Sequence, residues 1–129
     1  MLENSDAFSG FATSNIAAAK EFYGSVLSLN ITEQNGMLTL HFSNGGSVLI
    51  YPKPDHKPAD FTILNFPVPN IDETVEALLK KGVQFEHYDE GQLKTDEKGI
   101  ARGLATGMGP DIAWFTDPAG NILSVLQNS

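Results

Sequence analysis

Apolar residues recur at helical spacing in two stretches of the chain. Ile16, Ala19, Phe22, Tyr23, Val26 and Leu27 share one helical face, and so do Ile71, Val75, Leu78 and Leu79. Each stripe follows an asparagine, Asn15 or Asn70, a residue type whose side chain accepts from the free backbone N–H groups of a first turn. Asn70 and Glu73 stand at capping-box spacing, Lys80 and Lys81 complement the C-terminal dipole, and Gly82 stops the helix. The pattern predicts helices over 15–27 and 70–81. Elsewhere the apolar period is two. It predicts strands at 8–13, 29–33, 37–42 and 47–51, then at 61–68, 83–88, 112–116 and 122–127. Turns fall at Asn35-Gly36, at Asn44-Gly45-Gly46 and at Asp117-Pro118-Ala119-Gly120-Asn121.

The order of elements repeats. Phe11 to Ile16 matches Phe66 to Ile71 at an offset of 55, and Gly46 to Ile50 lies over Gly120 to Ser124 at an offset of 74. The chain thus reads as two βαβββ modules, one supersecondary unit used twice, giving an α+β fold. The boundaries expected are one domain over 1–129, with modules at about 7–52 and 60–128 and a linker at 53–59. The larger second offset places an insertion ahead of the last hairpin. The glycine-rich stretch 90–108 reads as an irregular, mobile loop, and loops of such length in a compact domain usually act as functional covers.

Composition then narrows the function. A net charge of −8 argues against nucleic acid, whose affinity depends on Lys and Arg neutralising phosphates, and is compatible with a neutral or cationic small molecule. The absence of cysteine excludes disulfides, thiolate metal sites and thiol nucleophiles. No apolar run approaches bilayer length, and the first residues lack the basic and apolar regions of a secretory signal. The expectation is a cytoplasmic protein with no membrane partner.

The paired modules, the helix from Ala17 to Leu29 and the hairpin around Asp117 to Asn121 together resemble the vicinal oxygen chelate superfamily, which includes glyoxalases, extradiol dioxygenases and bleomycin-resistance proteins. The resemblance covers about 8–127. It implies an open sheet folded into a cup with helices outside, and a homodimer. Metal-dependent members hold a divalent ion through the first and last strand of each module. Carried onto this chain, the first-strand positions are Phe8 and Ile63, seven residues before each capping asparagine, and the last-strand positions are Ile50 and Ser124. Zn²⁺, Fe²⁺ or Mn²⁺ would need carboxylate, imidazole or thiolate there. The neighbours one residue away offer no better set. No metal and no other cofactor is therefore expected.

The remaining polar and aromatic residues supply the candidates for a site. Strand alternation puts Asn65 and Ser124 inside the cup if the positions above hold. His41 alternates with Leu40 and Phe42 on its strand, and His56 lies in the proline-rich linker; either is a candidate acid or base, although a lone strand histidine more often serves structure. Trp114, the only tryptophan, is either core or an aromatic wall for a ligand. Lys94, Lys98 and Arg102 are three of eight basic residues, all in the inserted stretch, where a solvated loop is the plainer alternative. Two functions follow. The first is a metal-independent protein binding a small organic molecule in an apolar cup lined by Phe8, Ile50 and Ile63. The second is a metal-independent lyase or isomerase using His41 or His56.

Overall fold

The computed structural model describes residues 1–129, and the chain divides into two compact units, Met1–Lys57 and Pro58–Ser129. In the first, β1 (Ser9–Thr13) leads through the capping residue Asn15 into α1 (Ile16–Lys20), whose first turn is held by the Asn15 side chain accepting from the Ala18 N–H at 3.0 Å. The single helix expected over 15–27 is not uniform: α1 passes into a π-helical stretch, Glu21–Val26, in which the Leu27 N–H reaches back to the Phe22 carbonyl. Three antiparallel strands follow, β2 (Asn30–Gln34), β3 (Met37–His41) and β4 (Ser47–Pro52). The sheet order is β1-β4-β3-β2, with β1 parallel to β4. Leu38, Leu40, Val48 and Ile50 are buried beneath the helical segment with Ala19 and Tyr23, while Met37, Thr39, His41, Leu49 and Tyr51 alternate onto the opposite face.

The second unit repeats the plan. β5 (Thr62–Pro67) leads to α2 (Ile71–Lys80), where Asn70 accepts from the Glu73 N–H at 3.1 Å and Gln127 from the Ile71 N–H at 2.9 Å. The last two strands, β9 (Asp111–Thr116) and β10 (Ile122–Gln127), form the closing hairpin. The sheet order is β5-β10-β9-β8, β8 being the short segment Ile100–Arg102. Ala113, Phe115, Leu123 and Val125 are buried on the α2 side with Ile71, Val75 and Ile100, whereas Ile112, Trp114, Thr116 and Ser124 lie on the open face. The α+β class and the two βαβββ modules hold.

Two expectations are corrected. The stretch 83–88 does not form a full strand. Val83 and Phe85 are buried in alternation, and Phe85 bridges Phe115 while the Glu86 N–H bonds the Trp114 carbonyl at 2.8 Å. The chain then leaves the sheet and returns as β8, whose Ile100 pairs with Ala113 farther along the same edge of β9. One edge strand is therefore interrupted by an excursion over 87–99. The two ends meet at Gly99, where an added Cβ would lie 3.0 Å from the Phe85 Cβ. The excursion carries a small hairpin, β6 (Asp89–Glu90) with β7 (Leu93–Lys94), and β8 is followed by one helical turn, α3 (Gly103–Thr106). The 90–108 segment is thus built of short elements and is not an irregular loop.

The second correction concerns register. Ser124 pairs with Asn65 on β5 and, by the equivalent ladder, Leu49 pairs with Gly10 on β1. The repeat partner of Ser124 is therefore Leu49, one residue before Ile50. Gly45 and Gly120, at φ 88° and 86°, are the equivalent left-handed residues of the two hairpins. The matching of Gly46 to Gly120 missed this pair, because a left-handed backbone, and not the bare presence of glycine, defines the equivalence. Ile50 consequently faces the helix and is fully buried.

Candidate binding site

A cavity with the shape of a binding site lies in the second unit. This cavity of about 850 Å³ is lined by residues between Gly91 and Trp114, within the span typical of small-molecule pockets. Its apolar wall comprises Leu93, Ala101, Met108, Pro110, Ile112 and Trp114. Ala101 and Ile112 are cross-strand partners, and Ile112 and Trp114 alternate onto the same open face of β9. The wall exists because the interrupted edge strand sends the β6–β7 hairpin and the α3 turn beyond the sheet.

Trp114 is fixed at both its polar and its apolar ends. Its indole N–H donates to the Thr62 hydroxyl at 3.1 Å, and Tyr88 meets the ring edge-on with centroids 5.5 Å apart. An aromatic surface held this way presents a large area with little rotamer freedom left to lose on binding.

The charged lining residues, Lys94, Asp96 and Arg102, are unequally engaged. Arg102 forks onto Asp72 of α2 with bonds of 3.0 and 2.8 Å and gives its Nε–H to Asp96 at 3.0 Å. The second oxygen of Asp96 accepts from the Lys98 and Ile100 N–H groups, each at 2.9 Å. Lys98 bonds Glu76 and Asp72 at 2.8 and 3.4 Å. Hydrogen bonding from Arg102 carries the Asp72 carboxyl down to about 2, and bonding to Asp72 raises the Arg102 guanidinium further above its ordinary range. At Asp96 burial works upward, but the two backbone donors and Arg102 outweigh it and the carboxyl is lowered. Lys98 and Arg102 are therefore straps from the inserted segment to α2 and not solvated loop charges.

The sequence candidates scatter. Trp114 lines the cavity as an aromatic wall. Ser124 is fully buried beside it in register and donates to the Asn65 Oδ1 at 2.5 Å. Ile63 lies half-buried on β5 at the register shift opposite β10. Phe8 precedes β1 and is 65% exposed, so it is no strand residue and lines no wall of this cavity. Ile50 belongs to the core, which removes it from any ligand surface. His41 is half-buried in the first unit with its Nε2 2.9 Å from the Thr32 hydroxyl. His56 is half-buried in the connection. Neither histidine is among the residues lining the cavity. Leu93, Ala101, Met108, Pro110 and Ile112 were not foreseen, and their one sequence signal was the insertion itself.

With the corrected register, the positions at which the resemblance would seat a metal are Phe8, Leu49, Ile63 and Ser124. Three hydrocarbon side chains and one hydroxyl do not fit a divalent cation, and no group of three His, Asp or Glu side chains converges elsewhere. No helix is long and apolar enough to cross a membrane.

Comparison with known proteins agrees with this architecture. The family model described as Glyoxalase/Bleomycin resistance protein/Dioxygenase superfamily matches residues 8–125. The chain belongs to that superfamily. Among solved structures, TnmS3, an antibiotic binding protein from Streptomyces sp. CB03234, is 20% identical with a TM-score of 0.66, over 95% of this chain and 96% of that one. A fosfomycin resistance protein, FosX, from Listeria monocytogenes is 10% identical with a TM-score of 0.70, over 100% and 94%. A glyoxalase family protein from Enterococcus faecalis is 20% identical with a TM-score of 0.68, over 98% and 99%. At these identities the likeness establishes the fold. A comparison with curated proteins finds no match.

Proposed function

We propose that this protein binds a small organic molecule against Trp114 without a metal ion. The observation that carries the reading is a mostly apolar cavity of about 850 Å³ built around a braced tryptophan, in a chain whose superfamily metal positions hold no ligating side chain. The fold it shares with TnmS3, an antibiotic binding protein, supports capture without chemistry. A metal-independent enzyme is the weaker reading, because His41 and His56 are absent from the cavity lining and a general acid or base must come within hydrogen-bond reach of its substrate.

Calorimetric titration of chelated protein tests this reading. Naphthalene-2-methanol, a flat neutral probe, should bind the wild type and bind Trp114→Ala at least tenfold more weakly, while Zn²⁺, Ni²⁺, Mn²⁺ and Fe²⁺ should give no stoichiometric micromolar isotherm. Equal probe binding by Trp114→Ala would remove the site, and stoichiometric micromolar cation binding abolished by Ser124→Ala would restore a metal centre.

A further inference from the structure

The charged side chains of the cavity lining differ in how far protein partners already hold them. Of its three charged lining residues, Asp96 accepts from two backbone N–H groups and from Arg102, and Arg102 gives three of its five N–H groups to Asp72 and Asp96, with Asp111 3.6 Å from its Nη1. Both groups are thus already held by opposite charges, three carboxylates in the case of Arg102. Lys94 differs. Its ion pair with Asp89 spans 3.9 Å, beyond a hydrogen bond, and both side chains are largely exposed. The ammonium group keeps all three donors for a ligand. Gln92, beside it in the lining, adds a neutral amide. The net charge of −8 would repel an anion at long range, but charges more than about 10 Å away are largely screened at 0.1 M ionic strength. Close in, the Lys94 ammonium is the lining cation none of whose donors is taken by a hydrogen bond.

We infer that the cavity takes a flat aromatic molecule bearing an acidic group, its rings against Trp114 and its anion at Lys94. This deepens the binding reading above and rests on it. The sequence pointed the other way, since total charge alone favoured a neutral or cationic ligand. What favours an anion is the engagement of Asp96 and Arg102 by each other and by Asp72, which leaves Lys94 as the lining charge with its hydrogen-bond donors open.

Three naphthalene probes of one shape test the idea at pH 7.5 in 0.1 M salt: naphthalene-2-carboxylate, naphthalene-2-methanol and 2-naphthylmethylammonium. Binding is followed by the indole N–H resonance in a ¹⁵N-correlated spectrum, which the only tryptophan makes unambiguous. All three should move that resonance, with the carboxylate about fivefold tighter than the alcohol, the scale of one exposed ion pair, and the ammonium weakest. Lys94→Ala should cancel the carboxylate's advantage over the alcohol, and Lys94→Glu should reverse the order of the charged pair. A carboxylate that binds no tighter than the ammonium, or an advantage that survives Lys94→Ala, overturns the inference while the cavity reading stands. An indole resonance unmoved by all three probes, the neutral alcohol included, overturns the cavity reading and the inference with it.

Discussion

Ser124 occupies the position where metal-dependent relatives are expected to carry a carboxylate, and its environment suits a hydroxyl. It is fully buried, and its proton goes to Asn65, which remains exposed on β5. Ser124→Ala deletes the donor but lets Asn65 recover a bond from water, so the expected loss of stability is about 0.5–1 kcal/mol, read as a shift in urea midpoint at constant m. A loss above about 3 kcal/mol would show that the hydroxyl holds more than Asn65. Trp114 was singled out in the sequence as the one tryptophan with two possible roles; the choice depended on strand parity. Parity became visible only with the pairing of Ile112 to Ala101 and of Trp114 to Ser124. Ile50 shows the same limit from the other side: an apolar strand residue looks alike in sequence whether it lines a cavity or a core.

Among the elements, the excursion over 87–99 is the part that makes a site, and its attachment to α2 is ionic. Asp72, with its carboxyl near 2 beside Arg102, binds its proton more weakly in the folded than in the unfolded chain, where a carboxyl titrates near 3.9. The resulting stabilisation is complete above about pH 4 and is lost as the pH falls toward 2. The side chain is 43% exposed, so solvent screening holds the contribution to about 1 kcal/mol or less. Asp72→Asn should flatten the acid side of the stability–pH curve and raise the amide exchange of 96–102; an unchanged acid limb would show that the strap does not couple α2 to the cavity wall. Gly99→Ala should destabilise by about 1–3 kcal/mol in chemical denaturation, combining a φ of +88° with a Cβ contact at 3.0 Å, and a neutral effect would contradict the crowded re-entry point. The helices were legible because caps and stripes are local signals, and Asn15 and Asn70 do accept where expected. β8 was not legible. Three residues set among glycines have no period of their own, and they pair only because Phe85 and Glu86 have already opened that edge of β9.

On the scale of the whole chain, the repeated order of elements was the strongest signal, and it led correctly to two βαβββ modules and to the Glyoxalase/Bleomycin resistance protein/Dioxygenase superfamily. The repeat could not show which copy carries the cavity. That depends on an insertion present only in the second, and an insertion has no counterpart from which to infer its shape. The pairing of two copies implied by the resemblance is checked by light scattering, where twice 13.9 kDa is expected and a mass of 13.9 kDa throughout the micromolar range would contradict it.

The most direct measurement of the central claim is a high-resolution structure from crystals grown with naphthalene-2-methanol after chelation. Flat density is expected against the Trp114 indole, enclosed by Leu93, Met108 and Ile112, with no coordinated ion near Ser124. Density for the probe only at a place remote from Trp114, or a metal held at Ser124 with the Trp114 cavity empty, would contradict the claim.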